Sequence, residues 1–212
     1  MTQISKREQQ KNLRRGTILD VAERLIRETG GTDFPIRTLA AQADVAFATP
    51  FNLFGSKEGL LYSLLARSLD QITAAGLAFT EPRPADRVIE TTRSAVASFL
   101  ADPELLRPLY LVLLSVSHPD HRPRFMARAL RFWHTAARAA SDPARTIDDA
   151  LVDAVARSMM AHFVGVLELW VHRDISDEQF ERQTVIGTSL LARAIVSPED
   201  SERLLHLAEA NA

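Results

Sequence analysis

From Ile36 to Leu65 the chain reads IRTLAAQADVAFATPFNLFGSKEGLLYSLL, and this stretch constrains the fold more than any other. Asp33-Phe34-Pro35 opens a helix there, with proline in the first turn, where its missing N–H is not needed. Leu39, Ala40 and Ala43 form that helix's buried face, and the two alanines are small enough to let another helix cross closely. Asp44-Val45 makes the turn, because aspartate tolerates left-handed backbone better than most residues with a Cβ. A short helix follows from about Phe47 to Phe54, interrupted by Gly55-Ser56. Ser56 then caps a longer helix running from Lys57 to about Ala78. Two short helices around a tight turn, backed by further helices, is the construction of a helix-turn-helix.

The spacing of the short helix assigns its faces. Val45, Phe51 and Phe54 are expected to face the core, and Ala46, Phe47, Ala48, Thr49 and Asn52 to face outward. An outward Phe47 contacts thymine methyls or sugar edges in the functional reading; in the alternative the helix is rotated and the ring packs inside. Thr49 and Asn52 supply hydrogen bonds to bases or phosphates, and Lys57 adds charge in the first turn of the next helix.

The flanking sequence suits such a unit. A first helix is expected over Lys11 to Glu28, with Leu13, Thr17, Ile18, Val21, Ala22, Leu25 and Ile26 in one stripe and Gly30-Gly31 ending it. Before it, residues 1–15 hold Lys6, Arg7, Lys11, Arg14 and Arg15 against Glu8 alone, a net of +4 in a chain whose total is −2. That places any nucleic-acid surface at the N-terminal end; a solvated basic tail is the other reading. The N-terminus has no apolar core of a signal peptide. The most apolar window, Met159 to Val171, is about 13 residues and contains His162 and Glu168, too short and polar to span a bilayer. A cytoplasmic protein with no membrane partner is expected, and the absence of cysteine excludes disulfides and thiolate chemistry.

The ordered set ILDVAERLIRETG, IRTLAAQADV and FNLFGSKEGLL, across roughly residues 12–65, resembles the DNA-binding domain of the tetracycline-repressor (TetR) family of bacterial regulators. The resemblance implies DNA contacts at Arg37, Thr38, Thr49, Asn52 and Lys57, and the outward face of the short helix adds Ala46, Phe47 and Ala48 as candidate DNA-binding residues. The chain departs from the family pattern at Asp44, where glycine is usual, and at Pro35, where serine or threonine is usual. Phe51 and Leu53 replace a tyrosine and a histidine that commonly touch the DNA backbone, and Pro50 lies early in the recognition helix. No contact is carried onto Phe51 or Leu53.

The expected architecture is all-α: a basic arm (1–10), a helix-turn-helix domain with its connecting helix (11–78), and a larger C-terminal ligand-binding and dimerisation domain (79–212). Helices are expected at about 85–101, 104–116, 122–140, 144–173, 177–196 and 199–210. The resemblance implies a homodimer and a small-molecule pocket in this second half. Phe99, Tyr110, Met126, Trp133, Met159, Phe163 and Trp170 form a candidate effector-pocket set, or ordinary core. Ala161, Gly165, Glu168 and His172 share one helical stripe, and Gly187, Leu191 and Ala194 another. Two such stripes per subunit would build an intersubunit four-helix bundle, unless they pack within one chain. His118-Pro-Asp-His121 and the Glu168/His172 pair read as loop and surface features, so no metal is expected. No catalytic residue or cofactor is expected, since the chain lacks a P-loop, a Gly-rich dinucleotide turn, HExxH and GxSxG.

The resulting reading is a regulator of double-stranded DNA, a repressor released from a palindromic operator by a small effector. The alternative is a helical interaction protein of the same fold that reads no DNA, suggested by the replaced tyrosine and histidine.

Overall fold

A computed structural model describes residues 5–115 and 118–212. Among them are ten α-helices and no strand, so the all-α expectation holds. Residues 1–4 of the expected arm lie outside the described residues, as does position 116 at the end of the expected sixth helix. The helices fall into two compact units, Met1–Arg67 with Glu104–Arg122, and Ser68–Pro103 with Pro123–Ala212.

In the first unit α1 spans Lys6–Thr29, starting five residues before the expected Lys11. The Ser5 hydroxyl accepts the Glu8 N–H at 3.2 Å, and the run KREQQKNLRR contains mostly good helix formers. Residues 6–10 of the expected basic arm are therefore helix. Gly30, at φ 68°, ends α1 with its N–H on the Ile26 carbonyl at 2.9 Å. Ile18, Val21, Ala22, Leu25 and Ile26 are buried as the stripe requires. Leu13 and Thr17 are not: both are exposed, Leu13 at 71%.

Helix α2 (Ile36–Gln42) buries Leu39 and Ala40, and Ala43 follows them inward. Asp44 takes φ 51°, and across it the Val45 N–H reaches back to the Ala40 carbonyl at 3.0 Å. Helix α3 (Ala48–Phe54) follows, with Pro50 in its first turn. Helix α4 (Lys57–Gly76) starts on Ser56, whose hydroxyl accepts the Gly59 N–H at 3.1 Å. A Cβ at Gly59 would overlap the Phe54 carbonyl, so glycine permits the tight α3–α4 join. Leu60, Leu61, Leu64 and Leu65 are buried, and Arg67 of α4 pairs with Asp20 and Glu23 of α1. Helix α6 (Pro103–Ser115) buries Leu105, Leu106, Leu109, Tyr110 and Leu113.

The second unit contains the end of α4 and helices α5 (Pro84–Ala101), α7 (His121–Ala140, from Pro123), α8 (Asp149–Val171), α9 (Asp177–Ala192) and α10 (Pro198–Asn211). Buried Thr91 of α5 donates its hydroxyl to the Gly76 carbonyl at 2.8 Å, tying α5 to the last turn of α4. The Glu90 carboxylate accepts the Thr80 hydroxyl and the N–H groups of Thr80 (3.0 Å) and Glu81 (3.2 Å), which hold its carboxyl below the usual carboxylate range. Helix α8 starts at Asp149 rather than 144, because residues 141–148 are tied down as a loop. There Arg145 donates to the Val196 carbonyl at 2.8 Å and the Asp142 N–H to the Ile195 carbonyl at 2.9 Å. Helix α9 stops at Ala192, four residues before the expected end.

At 23 residues with a mean hydropathy of 1.4 over its best window, α8 is long and apolar enough to cross a membrane, contrary to the shorter window read from sequence. Its apolar content has another account. Val152, Val155, Ala156, Met159, Phe163, Val166, Leu167 and Trp170 are buried in the core of this unit.

Candidate functional site

The α2–turn–α3 frame brings the expected DNA-contact residues together on the first unit. Arg37, Ala46, Phe47, Ala48 and Asn52 are exposed, while Thr38, Thr49 and Lys57 are half-buried. Lys57 Nζ lies 5.0 Å from the centroid of the buried Phe34 ring, which steadies its long side chain at the start of α4. Beside it, Glu58 is held below the usual carboxylate range by its own backbone N–H and by the Ser56 hydroxyl. That carboxylate remains charged next to Lys57 and sets an acidic edge to the surface.

The face assignment of α3 needs one correction. Phe51 was expected in the core and is 40% exposed; Pro50 is buried in its place, beside Phe54. Positions 50 and 54 are one turn apart, so they share a face, and position 51 is rotated about 100° from it. Phe51 instead meets Phe47, with ring centroids 5.6 Å apart and edge to face at 65°. Phe47 is outward as expected, at 54% exposure, and the Arg37 guanidinium lies 5.9 Å from its centroid. The i,i+4 spacing of the two phenylalanines was a legible signal for this pair.

Arg15, counted among the N-terminal cations, turns inward. It donates to the Leu53 carbonyl and lies 4.4 Å over the Phe54 ring, so it bolts α1 to α3 rather than adding to an open basic surface. His118 and His121 also have structural partners. The His118 Nδ1 accepts the N–H groups of Asp120 (3.2 Å) and His121 (3.3 Å), and the His121 ring stacks on Tyr62 at 5.4 Å.

In the second unit Phe99, Trp133, Phe163 and Trp170 lie in one packed cluster. Phe163 is 5.7 Å from Phe99 and 5.4 Å from Trp133 between centroids. Phe180, absent from the sequence set, stacks on Trp170 at 5.1 Å and completes the cluster. Trp170 Nε1 donates to Asp177 at 2.7 Å, satisfying the polar atom of a fully buried ring. Met159 is fully buried in the same unit and Met126 half-buried, whereas Tyr110 belongs to the first unit. Three cavities of this unit are lined by other residues. The first, of about 830 Å³ between α5 and α10, has a charged rim including Asp86, Glu90, Arg93 and Arg203. One of about 250 Å³ lies between α4 and α7.

The third cavity, about 510 Å³, is a groove between α8 and α9 lined by Ser158, His162, Gln183, Ile186, Gly187 and Leu190, among others. It belongs to the face expected for dimerisation. Ala161, Gly165, Glu168, His172 and Ala194 are exposed there, and Gly187 and Leu191 are half-buried. Leu169 and Leu190 are exposed as well and add apolar area that the small-residue stripes did not reveal. His162 was also missed: its Nε2 lies 3.0 Å from the Gln183 carbonyl, and its ring occupies the space left by Gly187. His172 Nδ1 lies 2.9 Å from the backbone carbonyl of Glu168.

No family model matches this chain, and neither does any curated protein. Solved structures do. A TetR-family transcriptional regulator of Syntrophomonas wolfei is 25% identical, with 85% of this chain and 95% of that one covered and a TM-score of 0.67. A TetR regulator of Rhodococcus is 22% identical over 87% of this chain and 97% of its own, with a TM-score of 0.68. AibR, solved with isovaleryl coenzyme A and operator DNA, is 21% identical over 79% of this chain and 94% of its own, at a TM-score of 0.50. By its fold, the chain is similar to the TetR-family transcriptional regulators.

Proposed function

We propose that this protein is a DNA-binding transcriptional repressor that acts as a homodimer and leaves a palindromic operator when a small molecule binds. The observation that carries the DNA reading is the exposed outer face of α3, with the Arg37 guanidinium near the Phe47 ring and Lys57 in the first turn of the helix that follows. The α2–turn–α3 frame backs that face with buried Leu39, Ala40 and Phe54. Residues 11–78 form the DNA-binding domain in this reading, and 79–212 the ligand-binding and dimerisation domain. In a two-fold dimer the recognition helices enter successive major grooves about 34–36 Å apart. Such work places the protein in the cytoplasm with the DNA.

The exposed α8 and α9 face supports the dimer, since contiguous apolar surface of this kind is characteristic of interfaces. The structural relative that holds both an acyl-coenzyme A and operator DNA supports the pairing of effector with DNA. The effector is apolar and binds by opening the Phe99–Trp133–Phe163–Trp170 cluster, whose rings fill their own space when no ligand is bound. DNA and effector then weaken each other's binding by the same factor.

Selection of bound duplexes from a random pool by the full-length protein tests the DNA half. An enriched palindrome is expected, and Lys57→Gln lowers affinity uniformly across sequences and reduces the salt slope by about 1 for each phosphate that Lys57 neutralises. Recovery of no enriched sequence favours the helical interaction protein.

A further inference from the structure

We infer that Phe47 is a specificity-determining residue that reads the C5 methyl group of a pyrimidine in the major groove, with Phe51 and Arg37 as its positioning residues. This rests on the DNA-binding reading of the α2–α3 surface. Phe47 carries no hydrogen-bonding group, so it cannot read the donors and acceptors of base edges. The apolar feature that base pairs display in the major groove is the thymine methyl. The ring is 54% exposed and sits between Ala46 and Ala48, both exposed and too short to keep a base edge away from it.

The ring is also held in place. Phe51 meets it edge to face at 5.6 Å from the same helix, and the Arg37 guanidinium on α2 lies 5.9 Å from its centroid. An unbraced exposed phenylalanine would lose rotamer freedom on docking, whereas this one has already lost part of it. The surroundings suit a polyanion: Arg37 flanks the ring, and Asn52 and Thr49 offer polar groups on the same helix. A protein partner would find two rings amid cationic and polar side chains, and that small apolar area gives it little to bury.

The test uses the full-length protein and the duplex selected above, with each thymine replaced singly by deoxyuridine, which removes only the methyl. The expected result is one position per half-site where the replacement weakens binding about fourfold, and about fifteenfold when both half-sites are changed. Phe47→Ala is expected to bind the thymine and uridine duplexes equally. Phe51→Leu should shrink the thymine-to-uridine ratio while leaving affinity for the uridine duplex and the salt slope unchanged, which a general loss of structure would not do. Wild-type binding that ignores uridine at every position overturns the inference and leaves the DNA reading intact. Failure to select any duplex overturns both.

Discussion

Asp44 shows how one residue sets the geometry of the DNA-facing frame. Its φ of 51° is left-handed, and the Val45 N–H bond to Ala40 forms only across that conformation. Residues with a Cβ occupy this region at a cost, which aspartate bears better than alanine. Asp44→Ala is expected to lower unfolding free energy by about 1 kcal/mol, and Asp44→Gly to hold or raise it slightly. Urea denaturation of both variants checks this; equal stability of the alanine and glycine variants would refute it. Arg15 separates charge from its use. Its formal charge was legible, but its guanidinium is engaged by the Leu53 carbonyl and the Phe54 ring, so that charge is not offered to a partner.

At the scale of elements, the α8–α9 crossing depends on one missing side chain. A Cβ at Gly187 would overlap the His162 ring, which itself lies against the Gln183 carbonyl. Gly187→Ala therefore displaces the ring and is expected to destabilise the unit by about 1–3 kcal/mol. Removing the ring as well, in Gly187→Ala with His162→Ala, should return part of that loss as a positive coupling in a double-mutant cycle. Additive losses would show that the two do not compete for space. Helix α3 illustrates the converse case, where a seven-residue element has too few positions to define its own buried face. Pro50 and Phe54 take the inside, and Phe51 is turned out to join Phe47.

For the whole molecule, the proposed function joins two kinds of surface: the α3 face of the first unit and the α8–α9 face of the second. The latter leaves Leu190 46% and Leu169 40% exposed beside small residues. If a second copy covers this face, Leu190→Arg buries an unpaired charge and the dimer separates. Analytical ultracentrifugation should then find a monomer whose far-UV helix signal is unchanged. Operator affinity should fall by at least tenfold, because the second half-site is no longer an intramolecular event. A Leu190→Arg protein that remains dimeric would remove this face from the assembly.

The sequence alone determined what short-range physics controls. Helix-period patterning and the lack of strand-like alternation specified an all-α chain; Gly30, Asp44 and Ser56 marked ends and turns that the structure places as expected. The order of the α2–turn–α3–α4 segment was legible for the same reason, since caps and turns involve residues three to five apart. Tertiary structure decided which faces are covered. Leu13 continues an apolar stripe yet stays exposed, Phe51 yields the core to Pro50, and Phe180 completes an aromatic cluster drawn from four helices. Burial depends on neighbours tens of residues away, so periodicity could name the apolar residues of each helix without saying which of them would be covered.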